Sequence, residues 1–207
     1  MVTSKKELAI LLSSLPTFET PSVALEQYPT PSDIAADWVW QMAMRKEVLG
    51  KIILDAGCGN GILGLALLLL GAKKVYFVDV DENVLKICKK NYKKIKDEYE
   101  IGTATFKCQD ISLFTTKVDV VVQNPPFGTK QKHHDKIFLE KAIKIAPLVY
   151  SMHKYNTTSF VEAVAKDFGF VVTNVWRFEF ALKASFSFHK KKVQEIDVGL
   201  FRLEKKS

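Results

Sequence analysis

Four consecutive residues, Asn124-Pro125-Pro126-Phe127, follow the apolar stretch Val118-Asp119-Val120-Val121-Val122. Two prolines withhold two N–H donors and stiffen the chain, which leaves the Pro125 carbonyl free to face a cleft. The Asn124 side-chain oxygen and that carbonyl can accept both N–H bonds of one amino group. An amine conjugated to a ring or an acyl carbon is a poor nucleophile, because its lone pair is delocalised. Gripped by two oxygens, the nitrogen moves toward tetrahedral geometry and its lone pair faces an electrophile in line. The charge developing on nitrogen is stabilised by the same preorganised acceptors. A strong general base is not required, since the product nitrogen sheds its proton readily. Phe127 offers a face on which a base can stack, and a base in a helix has to leave its stack to reach it. Asn124, Pro125, Pro126 and Phe127 are the catalytic candidates.

A second cluster lies upstream. Residues 54–61 read LDAGCGNG: an acidic residue ends an apolar strand, three alternate glycines follow, and a helix opens. Such a turn lets backbone approach a ligand closely and presents free helix N–H groups. Gly59, Gly61 and Gly64 formally match the dinucleotide pattern GxGxxG, which by itself is a weak signal. Asp55, however, would repel a pyrophosphate. S-adenosylmethionine suits the turn better: it carries no phosphate, and its methionyl ammonium wants an acid beside the glycines. Asp79, ending the second strand, can accept both ribose hydroxyls. Val80 can pack on the adenine, Asp110 can bond its amino group, and Ile111 can cover its other face. Gly57, Cys58, Gly59, Asn60, Gly61 and Leu63 belong to the same set of cofactor contacts, with Asn124 shared between cofactor and catalysis. Cys58 reads as a small packing residue rather than a nucleophile.

The elements that must carry these loops alternate between strand and helix. Residues 5–15 form an amphipathic helix. Pro16, Pro21, Pro29 and Pro31 forbid a continuous helix through the next stretch. Ser32 is expected to cap a second helix whose apolar residues Ile34, Ala35, Trp38, Val39 and Met42 recur at helical spacing, ending near Gly50. Strands are expected over 51–54, 75–80, 103–106, 118–122 and 148–152. Helices are expected over 62–70, from 81 or 82 to 92, over 135–145 and over 158–167. Residues 171–182 and 193–203, with no helix between them, predict an antiparallel hairpin at the sheet edge. The fold class is therefore α/β: a Rossmann-like, mostly parallel seven-stranded sheet, with helices on both faces. Residues 1–50 are expected to supply N-terminal helices and a segment covering the cofactor, and residues 51–207 the catalytic domain, in one compact unit overall. Ligands of such sheets bind at the strands' carboxyl ends, beside the first strand.

Composition narrows the classes. With 207 residues, 47% apolar and 26% charged, the chain can bury a core and is neither disordered nor a disulfide scaffold. The apolar run Ile62–Leu70 is too short for a membrane span, and no signal peptide is visible. A net charge of +7, carried mostly by lysine, favours an anionic partner. Cys58, Cys88 and Cys108 show no CxxC spacing, and the four histidines no metal-ligand spacing, so no metal is expected and a reducing, cytoplasmic setting is.

LDAGCGNG with Asp79, Asp110 and NPPF resembles the Rossmann-like S-adenosylmethionine-dependent methyltransferases that act on planar nitrogen. LEQYPTP (25–31), NPPFGTK (124–130), YSMHK (150–154) and FHKKK (188–192) narrow the resemblance, over nearly the whole chain, to the archaeal and eukaryotic adenine-N6 methyltransferases of small-subunit rRNA. That resemblance implies methyl transfer to an adenine N6 in RNA, with Gln27, Tyr28 and Thr30 lying over the cofactor. It also implies a small zinc-binding activator protein as a partner of the eukaryotic members. Ala56, where many members carry leucine, departs from the pattern and should affect packing only.

Lys183, His189, Lys190, Lys191 and Lys192, interleaved with Phe186 and Phe188, suit phosphate contact and base stacking. Lys130 and Lys132 can act in the same way. His153 is expected to be structural or to touch RNA. The competing readings are an rRNA guanine-N2 or a release-factor glutamine methyltransferase. Outside the class stand an NAD-binding oxidoreductase, which leaves NPPF unexplained, and a catalytically silent RNA-binding assembly factor.

Overall fold

The computed structural model describes residues 2–17, 28–126, 134–183 and 193–206; at 180–183 and 193–195 the backbone alone is described. Two helices, α1 (Lys5–Ser13) and α2 (Ser32–Met44), precede β1 (Ile52–Ala56), α3 (Ile62–Leu69), β2 (Lys74–Asp79), α4 (Glu82–Glu98), β3 (Thr103–Cys108) and β4 (Val120–Gln123). Then come α5 (His134–Ile145), β5 (Leu148–Lys154), α6 (Thr158–Asp167), β6 (Phe170–Lys183) and β7 (Val193–Lys205). The strands form one sheet in the order β3-β2-β1-β4-β5-β7-β6. Five neighbouring strands are parallel, and β7 runs antiparallel between β5 and β6. The expected class and terminal hairpin are both present, with β7 rather than β6 inserted beside β5.

Alternation along each strand divides the core. Ile53, Phe77, Val122 and Met152 face one layer with α1–α4. Leu54, Val78, Val121 and Val149 face the other with α5 and α6. Chain order reverses between β1 and β4, which opens a crevice at their carboxyl ends. Register places the site: Ala56 pairs with Val78 on one side and Gln123 on the other. The residues next along, Gly57, Asp79 and Asn124, therefore emerge side by side. Among the described residues no helix is long and apolar enough to cross a membrane.

Several expected boundaries move. The first helix stops at Ser13, where the Ser13 and Ser14 hydroxyls turn back on the Ile10 and Leu11 carbonyls. Pro31, not Ser32, occupies the cap of α2: its carbonyl accepts from Ala35 N–H, and no side chain caps the helix. That helix ends at Met44, followed by Lys46 at φ +60 rather than by a run to Gly50. In the other direction α4 continues past Tyr92 to Glu98, because Ile95 still packs inward.

Close packing sets α3 against β2. A Cβ at Gly64 would stand 2.3 Å from Phe77 Cε1 and 2.9 Å from Val75 Cγ1. Gly64→Ala should therefore destabilise the protein by about 1–2 kcal/mol, as overpacking outweighs the roughly 1 kcal/mol that alanine gains in helix propensity. Urea denaturation reads this directly; a variant more stable than the parent contradicts the packing.

Candidate active site

The glycine turn is built by hydrogen bonds from its own backbone. Gly57 and Cys58 N–H both donate to the Val78 carbonyl, at 2.8 and 3.0 Å, and Gly61 N–H returns to the Cys58 carbonyl at 2.8 Å. Gly61 caps α3 at φ +86, and a Cβ there would stand 2.4 Å from Cys88 Sγ. Only glycine meets both demands. Gly61 thus turns the chain into α3.

Both acids work on this turn. Asp55, 1% exposed, accepts from Gly64 N–H at 2.8 Å. Asp79 accepts from Gly59 N–H at 2.9 Å and Asp81 N–H at 3.0 Å, and its oxygens keep lone pairs for further donors. Burial pushes the Asp55 carboxyl up to about 8, with the nearby Asp79 charge adding to the rise and the Gly64 bond opposing it. Burial raises Asp79 as well. Asp110 differs: the Ser112 side chain, and then the Ser112 N–H that donates to it at 2.7 Å and caps a short turn, hold it below the ordinary carboxylate range.

These groups surround a cavity of about 240 Å³. Asp55, Gly57, Cys58, Gly59, Asn60 and Leu63 form its floor, with Asp79, Val80, Asp110 and Ile111 along one side. Val80 is half exposed and Ile111 buried, so the two apolar side chains stand as an accessible face and a base. Tyr28 and Thr30 close another wall, and Asn124, Pro125 and Pro126 complete it. Asn124 Nδ2 donates to Thr30 Oγ1 at 3.0 Å, while Asn124 Oδ1 is buried and, among the described residues, has no hydrogen-bond partner. Asn60 Nδ2 donates to the Pro16 carbonyl at 3.3 Å and Asn91 Nδ2 to the same carbonyl at 2.9 Å, tying the cofactor loop to the segment behind α1.

Gln27, Phe127, Lys130, Lys132, His189, Lys190, Lys191 and Lys192 lie outside the described residues, as do Phe186, Phe188 and the side chain of Lys183. His153 is 2% exposed, and its Nε2 sits 2.6 Å from Ser151 Oγ, which accepts from Gln123 Nε2 at 2.9 Å. Burial holds its pKa down to about 3, so it is a neutral core residue and not an RNA contact.

Residues 33–150 match the family described as methyltransferase small domain. The chain belongs to that family. It is 34% identical to the rRNA N(6)-adenosine-methyltransferase of Drosophila melanogaster, over 96% of this chain and 95% of that one. The crystal structure of a Pyrococcus horikoshii protein, provisionally named an RNA methyltransferase, is 40% identical, covers 99% of both chains and superposes with a TM-score of 0.90. A magnesium protoporphyrin IX methyltransferase from Synechocystis, 17% identical with a TM-score of 0.65 over 84% of this chain and 78% of that one, shares the fold.

The residues fit S-adenosylmethionine, the methyl donor of this enzyme class. A buried acid stands where an ammonium would be neutralised, a second acid ends β2, and apolar side chains flank the far end. Sequence reasoning missed the wall that α5 supplies. His134, Ile137 and Phe138 line the cavity from the first turns of that helix, and Phe138 rests on the face where Gly57 has no Cβ. Their spacing of three and four residues, directly after the catalytic loop, was the available signal. Pro29, Ile62, Val78, Gln109 and Ser112 also line it.

The raised Asp55 pKa has a testable sign. In the folded, cofactor-free protein the carboxyl holds its proton up to about pH 8, against a reference value of 3.8. Its contribution to stability is thus fully present below about pH 4 and is lost as pH rises through 8. A cation beside it reverses the shift. Donor binding at pH 7 should therefore release up to about one proton, measured by calorimetry in buffers of different ionisation heat, and Asp55→Asn should abolish the release. Binding without proton release by the parent protein contradicts this assignment.

Proposed function

We propose that the protein transfers a methyl group from S-adenosylmethionine to the exocyclic N6 of an adenine in RNA, with small-subunit rRNA as the substrate. The observation that carries the reading is the buried Asn124 Oδ1 in the cavity wall, without a partner among the described residues. A buried acceptor without a donor is unfavourable by about 1–3 kcal/mol, and an incoming amine relieves it. The full-length similarity to an rRNA adenosine methyltransferase supports adenine as the ring that bears that amine.

When bound, the cofactor supplies an electrophilic methyl on a sulfonium. The protein's own residues then do four things. Asp55 and the glycine turn hold the ammonium end. Asp79 and Val80 hold the ribose and adenine of the donor. Asn124 Oδ1 and the Pro125 carbonyl accept the two N–H bonds of the target amine and aim its lone pair. The apolar surface of Pro125, Pro126 and Phe138 borders the line of attack and limits water there. One N–C bond forms as one S–C bond breaks, and the nitrogen releases its extra proton to water. In this reading Phe127, Lys130, Lys132, Lys183, His189 and Lys190–Lys192 grip the RNA. A small zinc-binding activator, implied by the family resemblance, belongs to the same proposal as a separate chain.

Incubation with tritiated donor and undermodified ribosomal RNA, followed by digestion to nucleosides, tests the assignment. Label should appear in N6-methyladenosine, and Asn124→Ala should lower kcat by about 10²–10³, the loss typical of one preorganised transition-state contact. Label in N2-methylguanosine or in protein overturns the adenine assignment.

A further inference from the structure

The hydrogen bond from Asn124 Nδ2 to Thr30 Oγ1 joins segments 94 residues apart. We infer that Thr30 is a positioning residue, whose hydroxyl holds the Asn124 amide with its oxygen turned toward the target amine. This role rests on the reading above and names a determinant of the same site.

An asparagine amide is almost symmetric in shape and opposite in chemistry at its two ends. Rotated by half a turn, Asn124 would offer N–H to an amine that also offers N–H, and no bond would form. Among the described residues the oxygen end has no partner, so nothing there selects its direction. The nitrogen end has one, Thr30. A threonine hydroxyl can donate as well as accept, so the arriving amine completes the choice. With an N–H facing Oδ1, both bonds survive only if Thr30 Oγ1 accepts.

The hydroxyl stands on a rigid mount. Thr30 is 7% exposed and lies between Pro29 and Pro31, which fix two φ angles and hold the intervening residue extended. The chain enters α2 at once, with Ala35 N–H donating to the Pro31 carbonyl at 2.9 Å. Trp38, Val39 and Met42 then root that helix, fully buried, in the core. A wall of the cofactor cavity and the catalytic amide thus move as one unit.

Thr30→Val keeps shape and removes the acceptor, leaving Asn124 Nδ2 a buried donor without a partner. It should lower kcat for RNA methylation by about 10- to 100-fold while the KM for the donor stays within about threefold. Thr30→Ser should restore kcat to within about threefold of the parent. Added to Asn124→Ala, Thr30→Val should slow the reaction no further, because both act through one group. A readout independent of the substrate uses protein labelled with ¹⁵N-asparagine. The side-chain NH₂ pair absent from Asn124→Ala should show one proton protected from exchange in the parent and in Thr30→Ser, and unprotected in Thr30→Val. Parental kcat in Thr30→Val, or unchanged protection, overturns the positioning role. Should the parent protein label no RNA adenine, the substrate reading fails while the NH₂ signal still decides the role of Thr30.

Discussion

Burying an amide oxygen with nothing to accept from weakens a fold by about 1–3 kcal/mol. Among the described residues Asn124 Oδ1 stands in that state just past β4, and much of the surrounding structure keeps it there. The register of β1 with β4 brings the asparagine level with the cofactor turn. Two prolines after it withhold the backbone donors that would otherwise quench the oxygen. Thr30 occupies the opposite end of the amide, reaching across from the segment that enters α2. The unsatisfied acceptor is stable only because the core on both faces of the sheet fixes these supports independently of it.

The second constraint is electrostatic and lies on the other side of the cavity. Asp55 in β1 and Asp79 at the end of β2 are desolvated acids, and the Asp79 charge adds to the cost of ionising Asp55. Their backbone donors, Gly64 for one and Gly59 and Asp81 for the other, order the turn without supplying a full positive charge. A cationic ligand supplies it. The site is therefore incomplete in complementary ways: an acid awaiting a cation at one end and an acceptor awaiting an amine at the other. A methyl donor with an ammonium group and an amino-bearing ring together satisfy both, which is the chemistry of a small-domain methyltransferase.

How much of this was readable in the sequence depends on distance along the chain. The glycine turn and NPPF are local signals, and their residue types state their chemistry. Strand alternation likewise foretold a mostly parallel sheet closed by an antiparallel hairpin. What escaped was set by contacts between distant segments. That Cys88 presses on the turn at Gly61, and so demands glycine there, depends on a helix that follows a further strand. Asp110 lines the cavity and also caps its own turn through Ser112, a second task that the sequence did not show. The wall from His134, Ile137 and Phe138 required knowing how α5 lies over the loop. His153 read as ambiguous until its burial beside Phe160 and Phe201 was seen. The Thr30–Asn124 bond had no sequence signal at all, since neither residue type specifies the other.

A crystal structure with a bisubstrate analogue, an adenosine joined through its N6 to the donor's aminoacyl-ribosyl-adenine scaffold, tests the central claim most directly. The N6 nitrogen should lie about 2.7–3.2 Å from Asn124 Oδ1, with Nδ2 still on Thr30. An N6 beyond hydrogen-bond reach of Asn124, or an amide turned so that Nδ2 faces it, contradicts the account.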